Sequence, residues 1–311
     1  MLGSAVESLL IESKKPFIAS DKEVDITNLN TVKNYAQQNF SDNTLNYIIN
    51  CAAYTAVDKA EDQPEAAEKL NHTGPKNLAV IAKQLKATLI HVSTDYVFDG
   101  KNADGYYEND APNPVSVYGR TKKDGEEAIQ SSGAAYYIVR TAWLFGENGP
   151  NFVATMLSLF QASKPVKVVN DQWGSPTYAG DLAKALFRFT ETDLAENSAG
   201  KNPPPKGIYH FTNSGVTSWY DFAREIFTQS VERGLCPQNS TIDPVPSTEY
   251  PTKAHRPHYS FLHRDKIIKA FNIEIRDYKH ALTTYLSSIK KSINDKNANF
   301  KNTGEKANGN N

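Results

Sequence analysis

Nearly continuous apolar runs of strand length constrain the fold of this chain more than any other feature. The clearest is Tyr47-Ile-Ile-Asn-Cys-Ala-Ala53, followed by Thr88-Leu-Ile-His-Val92 and Ala135-Tyr-Tyr-Ile-Val-Arg140. Strands that are apolar on both faces are typical of parallel sheets covered by helices on both sides. Predicted helices alternate with these runs, so the sequence predicts an α/β fold with a doubly wound parallel sheet.

Composition fits a globular protein and excludes several classes of partner. The chain has 311 residues, 39% hydrophobic and 22% charged, with a formal net charge of −1. Such a balance gives no bulk attraction to nucleic acid or to an anionic membrane. The start, Met1 to Glu7, has neither a basic leader nor a long apolar stretch. We therefore expect a cytoplasmic protein in which Cys51 and Cys236 are reduced thiols, and no Cys/His cluster has zinc spacing.

The order of predicted elements divides the chain into three parts. Residues 1–140 are predicted to form a Rossmann-like dinucleotide-binding core, and residues 141–289 a smaller substrate-binding part with some segments returning to the core. Residues 290–311 are Lys-, Asn- and Gly-rich with almost nothing apolar, which predicts a disordered tail. Within the core, Pro16–Ser20 is predicted to be a strand that ends at Asp21. A loop is predicted from Pro237 to Pro257.

Tyr118-Gly-Arg-Thr-Lys122 is the motif most informative about chemistry. A Tyr and a Lys four residues apart lie on one helix face, and a neighbouring ammonium favours the phenolate. Thr94 follows an apolar run, so its hydroxyl can complete a Thr–Tyr–Lys trio around a carbonyl group. Such a pair also occurs by chance on solvated helices. The position of Thr94 at the carboxyl end of a parallel strand, where open α/β sheets bind ligands, favours catalysis.

Four further positions are candidate binding residues, each with an ordinary structural alternative. The small side chains of Ala52 and Ala53 let a flat ring or a phosphate approach the backbone, although close packing of a helix on the sheet explains them nearly as well. Asn71 can hydrogen-bond across to that strand end. Asp21 follows a predicted strand, where an acidic residue commonly accepts hydrogen bonds from an adenosine ribose. Lys22 beside it would attract a 2′-phosphate, so the choice between NADH and NADPH stays open. Trp143 leaves its strand at the same sheet end and can stack on a sugar ring.

Together, these segments resemble the dTDP-4-dehydrorhamnose reductases, a branch of the extended short-chain dehydrogenase/reductases. The resemblance covers nearly the whole chain except its front end and its tail. It rests on Asn50-Cys-Ala-Ala-Tyr-Thr-Ala-Val-Asp-Lys-Ala-Glu61, Ser93-Thr-Asp-Tyr-Val-Phe-Asp-Gly100, Tyr118-Gly-Arg-Thr-Lys122, Arg140-Thr-Ala-Trp143, Asn170-Asp-Gln-Trp-Gly-Ser-Pro-Thr177, Gly207-Ile-Tyr-His-Phe211, Ser218-Trp-Tyr-Asp-Phe222 and Tyr250-Pro-Thr-Lys-Ala-His-Arg-Pro-His258.

The resemblance implies reduction of dTDP-4-dehydro-L-rhamnose at C4 to dTDP-L-rhamnose with NADPH or NADH, a step toward cell-surface polysaccharide. Tyr118 would protonate the developing alkoxide, and Lys122 would hold the nicotinamide ribose and lower the Tyr118 pKa. Thr94, Asp95 and Trp143 would contact the sugar. The cofactor would be lined by Leu2, Gly3, Asp21, Asp25, Ile26, Ala53, Tyr54, Thr55, Asn71, Tyr118 and Lys122. A homodimer, and Mg²⁺ at an interface, are left open.

The front end departs from this family. The family opens with a strand and a Gly-x-x-Gly-x-x-Gly turn, of which Met1-Leu-Gly3 matches only the last three positions, so we expect the sheet to lack its first strand. Our interpretation is that Met1 is an internal methionine and that upstream codons complete the sheet. The competing hypothesis is a truncated protein that is inactive or has acquired another role.

Two other functions compete with the reductase. One is another nucleotide-sugar epimerase or reductase of the same superfamily. The other is a non-catalytic regulatory subunit of the type that partners methionine adenosyltransferase. The complete Thr94–Tyr118–Lys122 trio weakens the second alternative, whereas the missing front end favours it.

Overall fold

The structure, a computed structural model, describes residues 1–40, 46–200 and 202–307, with the side chains of residue 197 and residues 296–307 outside the description. Its strands, in chain order, are β1 (Tyr47–Asn50), β2 (Thr88–Thr94), β3 (Ala135–Thr141), β4 (Leu144–Phe145), β5 (Val166–Val169), β6 (Trp173–Gly174), β7 (Thr177–Tyr178), β8 (Gly207–His210), β9 (Thr217–Ser218) and β10 (Ile242–Val245).

Helices separate most of these strands. They are α1 (Leu2–Glu12), α2 (Leu29–Asn39), α3 (Val57–Asp62), α4 (Pro64–Glu68), α5 (Gly74–Gln84), α6 (Val117–Ser131), α7 (Phe152–Gln161), α8 (Ala179–Ser198), α9 (Trp219–Glu232), α10 (Asp265–Phe271) and α11 (Tyr278–Ala307). A π-helical turn at Lys69–Thr73 joins α4 to α5, and a 3₁₀ turn at Asp95–Val97 follows β2.

The main sheet is parallel throughout, in the order β1-β2-β3-β8. Successive residues of its strands point to opposite faces, and both faces are covered. On one face Ile90 and Tyr137 pack with α1, α8 and α10, and on the other Leu89 and Ile138 pack with α2, α5 and α6. Helices on both faces of a parallel sheet confirm the predicted doubly wound α/β class.

A second core lies in the C-terminal half of the chain. It is built from apolar residues of α7, α9 and α11 together with β5, among them Phe160, Phe222 and Leu286. β5 pairs in parallel with β10, so a strand lies within the segment that the sequence predicts to be a loop. The division of the chain at residue 140 stays a prediction.

The predicted strand at Pro16–Ser20 is wrong. These residues belong to no strand, and Phe17 and Ile18 are exposed. A strand exists only where a neighbour supplies its hydrogen bonds. In the described ranges β1 pairs with β2 alone, and no strand lies beside residues 16–20 to supply their hydrogen bonds.

The prediction of a disordered tail from residue 290 also differs from the structure. α11 continues from Tyr278 to Ala307, while residues 308–311 lie outside the described residues. Between 290 and 303 the sequence has no Pro or Gly to end a helix, and its lysines have good helix propensity. Low apolar content placed the end of the last helix too early. It indicates that a segment has no apolar face to pack, but it does not report the backbone preference of its residues for helix.

Two further findings concern the chain as a whole. Both Cys51 and Cys236 are free thiols. Among the described helices, none combines the length and the hydropathy that crossing a membrane requires.

Candidate active site

The candidate site lies where β1 and β2 end and α6 begins. Thr94 is the last residue of β2, and its side chain caps the following turn by accepting a hydrogen bond from the Tyr96 N–H at 3.2 Å. Ser116 caps α6 by accepting from the Gly119 N–H. The cap fixes the first turn of α6, and Tyr118 therefore stands opposite the end of β2.

Thr94 lies between Asp95 and Tyr118. Its hydroxyl donates to Asp95 Oδ1 at 2.9 Å, and on its other side it faces the Tyr118 phenol, whose pKa it lowers. A threonine hydroxyl has one proton, so it can donate to Asp95 or to a Tyr118 phenolate, but not to both at once. The three side chains are 9% exposed or less, so the chain Tyr118–Thr94–Asp95 is shielded from water.

Burial sets the protonation of both ends of this chain. It raises the pKa of Asp95 to about 6, against hydrogen bonds from Thr94 and Ser260 that lower it. Among the residues that the structure describes, Asp95 Oδ2 has no hydrogen-bond partner within 3.5 Å. Burial also raises the pKa of Tyr118, which Thr94 lowers and Asp95 raises. Desolvation is the largest influence on the Tyr118 pKa, and the lowering of that pKa by Lys122 stays a prediction.

Lys122 is directed toward the sheet. Its side chain is buried, and its Nζ lies 2.6 Å from the carbonyl oxygen of Val92 and 3.2 Å from His91 Nε2. Burial lowers the Lys122 pKa to about 8, opposed by Glu126 and Cys51. Tyr118 and Lys122 share one face of α6 as predicted, and Lys122 can change charge in mildly alkaline solution.

Two glycines let α6 approach its neighbours. A Cβ on Gly119 would lie 2.1 Å from the Tyr96 carbonyl oxygen, and one on Gly125 would lie 2.1 Å from the Asn71 carbonyl oxygen. Asn71 also accepts from the Tyr54 N–H, and its amide donates to the Tyr54 carbonyl and to Thr121 on α6. The predicted hydrogen bond from Asn71 to the β1 end is thus confirmed.

A buried ion pair fastens α6 to β3. Glu126, one turn after Lys122, accepts from Arg140 Nε at 3.0 Å and from Nη2 at 2.6 Å. Both side chains are at most 2% exposed. Charges buried this deeply are tolerated because each faces its partner.

Trp143 lies near the site and packs against residues of the C-terminal half of the chain. It adopts φ +48°, a left-handed conformation that is an outlier for a bulky residue. A Cβ on Gly174 would lie 2.6 Å from the Trp143 ring and 2.8 Å from the Ser260 hydroxyl. The Ser260 hydroxyl in turn lowers the pKa of Asp95. One face of Trp143 stacks on Trp219, with 3.6 Å between ring centroids. Trp143 is therefore near Asp95, and Trp219 already covers one of its faces.

The predicted cofactor residues fall into separate groups. Leu2 and Gly3 begin α1 beside Cys51, since a Cβ on Gly3 would lie 3.9 Å from that of Cys51. Ala53, Tyr54 and Thr55 form the loop after β1. Asp25 accepts from Thr27, and Ile26 accepts from Asn77 and packs on Gly74 of α5.

Asp21 differs from these groups, because its backbone N–H bonds Glu23 and it is exposed. No contact in the described ranges ties its side chain to the others.

The residues present fit a dinucleotide. The N-terminus of α1 has no side-chain cap and no acidic residue in its first turn, and it lies beside the end of β1. Free helix N–H groups at that place suit a pyrophosphate. The buried Lys122 amine suits a ribose hydroxyl. No group of three or more His, Cys, Asp or Glu side chains in the described part of the chain could hold a metal ion.

Comparison with known proteins agrees with this geometry. Residues 1–291 match the family model described as RmlD substrate binding domain. The chain is 39% identical to dTDP-4-dehydrorhamnose reductase from Aggregatibacter actinomycetemcomitans over 283 residues, which cover 90% of this chain and 93% of that protein. The chain belongs to the dTDP-4-dehydrorhamnose reductase family.

Solved structures of the family share the fold. The enzyme from Bacillus anthracis, determined in complex with NADP, is 33% identical with a TM-score of 0.82, covering 92% of this chain and 95% of that one. A second, from Clostridium acetobutylicum, is 38% identical with a TM-score of 0.82, covering 93% and 96%.

Three side chains at the candidate site of this chain were not among the residues that the sequence suggested. Ser260 faces Asp95, Trp219 stacks on Trp143, and His91 contacts Lys122. Ser260 and Trp219 are distant in sequence from their partners, so no local pattern indicates them. His91 does have a signal in the sequence, namely a titratable residue inside an apolar strand.

Proposed function

We propose that this chain is an oxidoreductase that reduces dTDP-4-dehydro-L-rhamnose at C4 to dTDP-L-rhamnose with NADPH or NADH. The observation that carries the proposal is the buried cluster of Thr94, Tyr118 and Lys122, with Asp95 hydrogen-bonded behind Thr94. Membership of the reductase family supports the sugar and the cofactor.

When bound, the reduced nicotinamide supplies a hydride to the C4 carbonyl carbon, and the carbonyl oxygen then carries the negative charge. Tyr118 gives its hydroxyl proton to that oxygen, which becomes the product hydroxyl. The resulting phenolate regains a proton from Thr94, whose oxygen regains one from Asp95 or from solvent. The Asp95 pKa of about 6 makes its carboxyl a usable proton donor near neutral pH.

Lys122 would hold the nicotinamide ribose, and Leu2 and Gly3 would present N–H groups to the pyrophosphate. Asp25 and Ile26 would flank the adenine, with Ala53, Tyr54 and Thr55 along the dinucleotide and Asn71 fixing the Tyr54 backbone. Asp21 would face the adenosine ribose. Asp95 and Trp143 would contact the sugar, and Trp143 has only one ring face to offer because Trp219 covers the other.

The two competing functions predict different cofactor behaviour. An epimerase returns its hydride to the sugar, so it causes no net oxidation of NADPH. A regulatory subunit has no need of a buried lysine and a buried carboxyl at the same sheet end, because burying each of these groups costs stability. The complete buried cluster therefore favours the reductase.

We also propose a cytoplasmic location, which the two free thiols Cys51 and Cys236 support. A homodimer is compatible with this proposal and is tested by light scattering.

Tyr118→Phe tests the proposal directly. The variant keeps the ring and removes the transferred proton, so we expect net NADPH oxidation with dTDP-4-dehydro-L-rhamnose to fall by about 10²–10⁴-fold. Tyr107→Phe is the matched control, because Tyr107 is 48% exposed and stacks on His263 away from the trio. Turnover by Tyr118→Phe equal to that of the control would refute the role of Tyr118.

A further inference from the structure

Asn50, His91 and Lys122 form a hydrogen-bonded row beneath the site. Asn50 Nδ2 lies 3.0 Å from His91 Nδ1, and His91 Nε2 lies 3.2 Å from Lys122 Nζ. The three residues are at most 5% exposed. They come from three elements, namely the end of β1, the middle of β2 and the first turns of α6.

The backbone fixes the direction of the first hydrogen bond in this row. Asn50 Oδ1 accepts from the Ala52 N–H at 3.0 Å, which leaves the Nδ2 amide facing His91. An amide nitrogen only donates, so His91 Nδ1 must be the acceptor. Burial and Lys122 lower the His91 pKa well below its ordinary value, so the ring is neutral with its one proton on Nε2.

The Nε2 proton therefore points at the Lys122 nitrogen. A neutral amine can accept it through its lone pair, whereas an ammonium has no lone pair and would oppose an N–H with an N–H. The Val92 carbonyl, 2.6 Å from Nζ, accepts from either form. The row thus discriminates between the two charge states of Lys122 by geometry.

We propose that Asn50 and His91 are positioning residues for Lys122, because Asn50 holds His91 in its Nε2–H tautomer and that N–H stabilises the neutral amine. This inference rests on the proposed function for its catalytic meaning, since Lys122 is assigned to the cofactor ribose. Its physical content concerns Lys122 itself and holds without turnover.

Other charged and titratable groups also act on Lys122. Glu126 lies one turn along α6, but its carboxylate is paired with Arg140. The Cys51 thiol at the end of β1 faces Lys122, and burial raises its pKa to about 12 against the N-terminal amine and Lys122. Cys51 is therefore neutral at ordinary pH. Among the described residues, His91 is the titratable side chain in direct polar contact with the amine from the sheet side, beside the uncharged Val92 carbonyl.

Asn50→Leu and Asn50→Asp separate this hydrogen-bond effect from charge. Leucine leaves Nδ1 free, so His91 can move its proton there and accept from an ammonium. Aspartate accepts from Nδ1–H and enforces the same reversal, but it also adds a negative charge. We expect the Lys122 pKa to rise by about one unit, a tenfold change in proton affinity, in Asn50→Leu and by more in Asn50→Asp.

The measurement is a pH titration of the full chain labelled with ¹³C at the lysine ε-carbons. The spectrum of Lys122→Arg assigns the Lys122 signal. Asn77→Leu is the matched control, since it replaces another buried asparagine. Asn77 lies on α5 and donates to the Ile26 carbonyl. A rise in Asn50→Leu and Asn50→Asp but not in Asn77→Leu supports the proposal. An unchanged Lys122 pKa in folded Asn50→Leu, or a rise in Asn50→Asp alone, overturns it.

A second readout needs no variant. The imidazole ¹⁵N spectrum of the unaltered protein reports the tautomer of His91, which is assigned by its loss in His91→Gln. We expect the Nε2–H form, and an Nδ1–H form would overturn the proposal even if the Asn50 variants did not fold. Neither result depends on activity, so failure of this inference is distinct from failure of the proposed function.

Discussion

At the scale of single residues, Asp95 combines deep burial with an incomplete set of hydrogen bonds. It is 2% exposed, and its Oδ2 has no hydrogen-bond partner in the described part of the chain. Burial raises its pKa from 3.8 to about 6, so ionisation in the folded protein costs free energy that the unfolded chain does not bear. A buried carboxyl that titrates near neutral pH beside Thr94 is typical of functional sites.

Asp95→Asn should therefore stabilise the protein, and only where Asp95 would ionise. A raised carboxyl pKa means that the folded state loses stability as pH rises from about 4 to about 6, by about 3 kcal/mol for about two units. We expect the variant to gain up to about that free energy of unfolding above about pH 6 and little below about pH 4. Denaturant unfolding at both pH values measures this gain, and an equal gain at both would show that Asp95 ionisation is not its cause.

At the scale of elements, α6 carries the site because it is fixed on three sides. Gly119 and Gly125 bring its backbone against the Tyr96 and Asn71 carbonyls, and Glu126 pairs with Arg140 of β3. Tyr118, Lys122 and Glu126 recur every fourth residue, so they share one face of the helix. A small shift of α6 would move all three together.

Glu126→Gln should destabilise this arrangement strongly. It leaves the Arg140 charge buried without a counter-charge, which costs about 3–5 kcal/mol of unfolding free energy. Replacing both residues, as in Glu126→Leu with Arg140→Met, removes both charges and should recover most of the loss. Chemical denaturation of the single and double variants measures it. A single variant as stable as the parent would show that the pair does not fasten α6.

At the scale of the whole molecule, local patterns in the sequence predicted the parallel sheet and the Tyr118/Lys122 face correctly. These features depend on residues close in sequence, whose periodicity reports which faces are buried. Strand Pro16–Ser20 was wrong because a strand depends on a neighbour that no local pattern reveals. The contacts of Ser260 with Asp95 and of Trp219 with Trp143 join distant segments, so only the folded chain shows them.

The most direct test of the central claim follows the hydrogen itself. The full chain is incubated with dTDP-4-dehydro-L-rhamnose and NADPH carrying deuterium at both C4 positions of the nicotinamide, and the sugar product is analysed by NMR. We expect one deuterium at C4 of dTDP-L-rhamnose for each NADPH oxidised. A sugar product without deuterium at C4, or bound cofactor that is never oxidised, would contradict it.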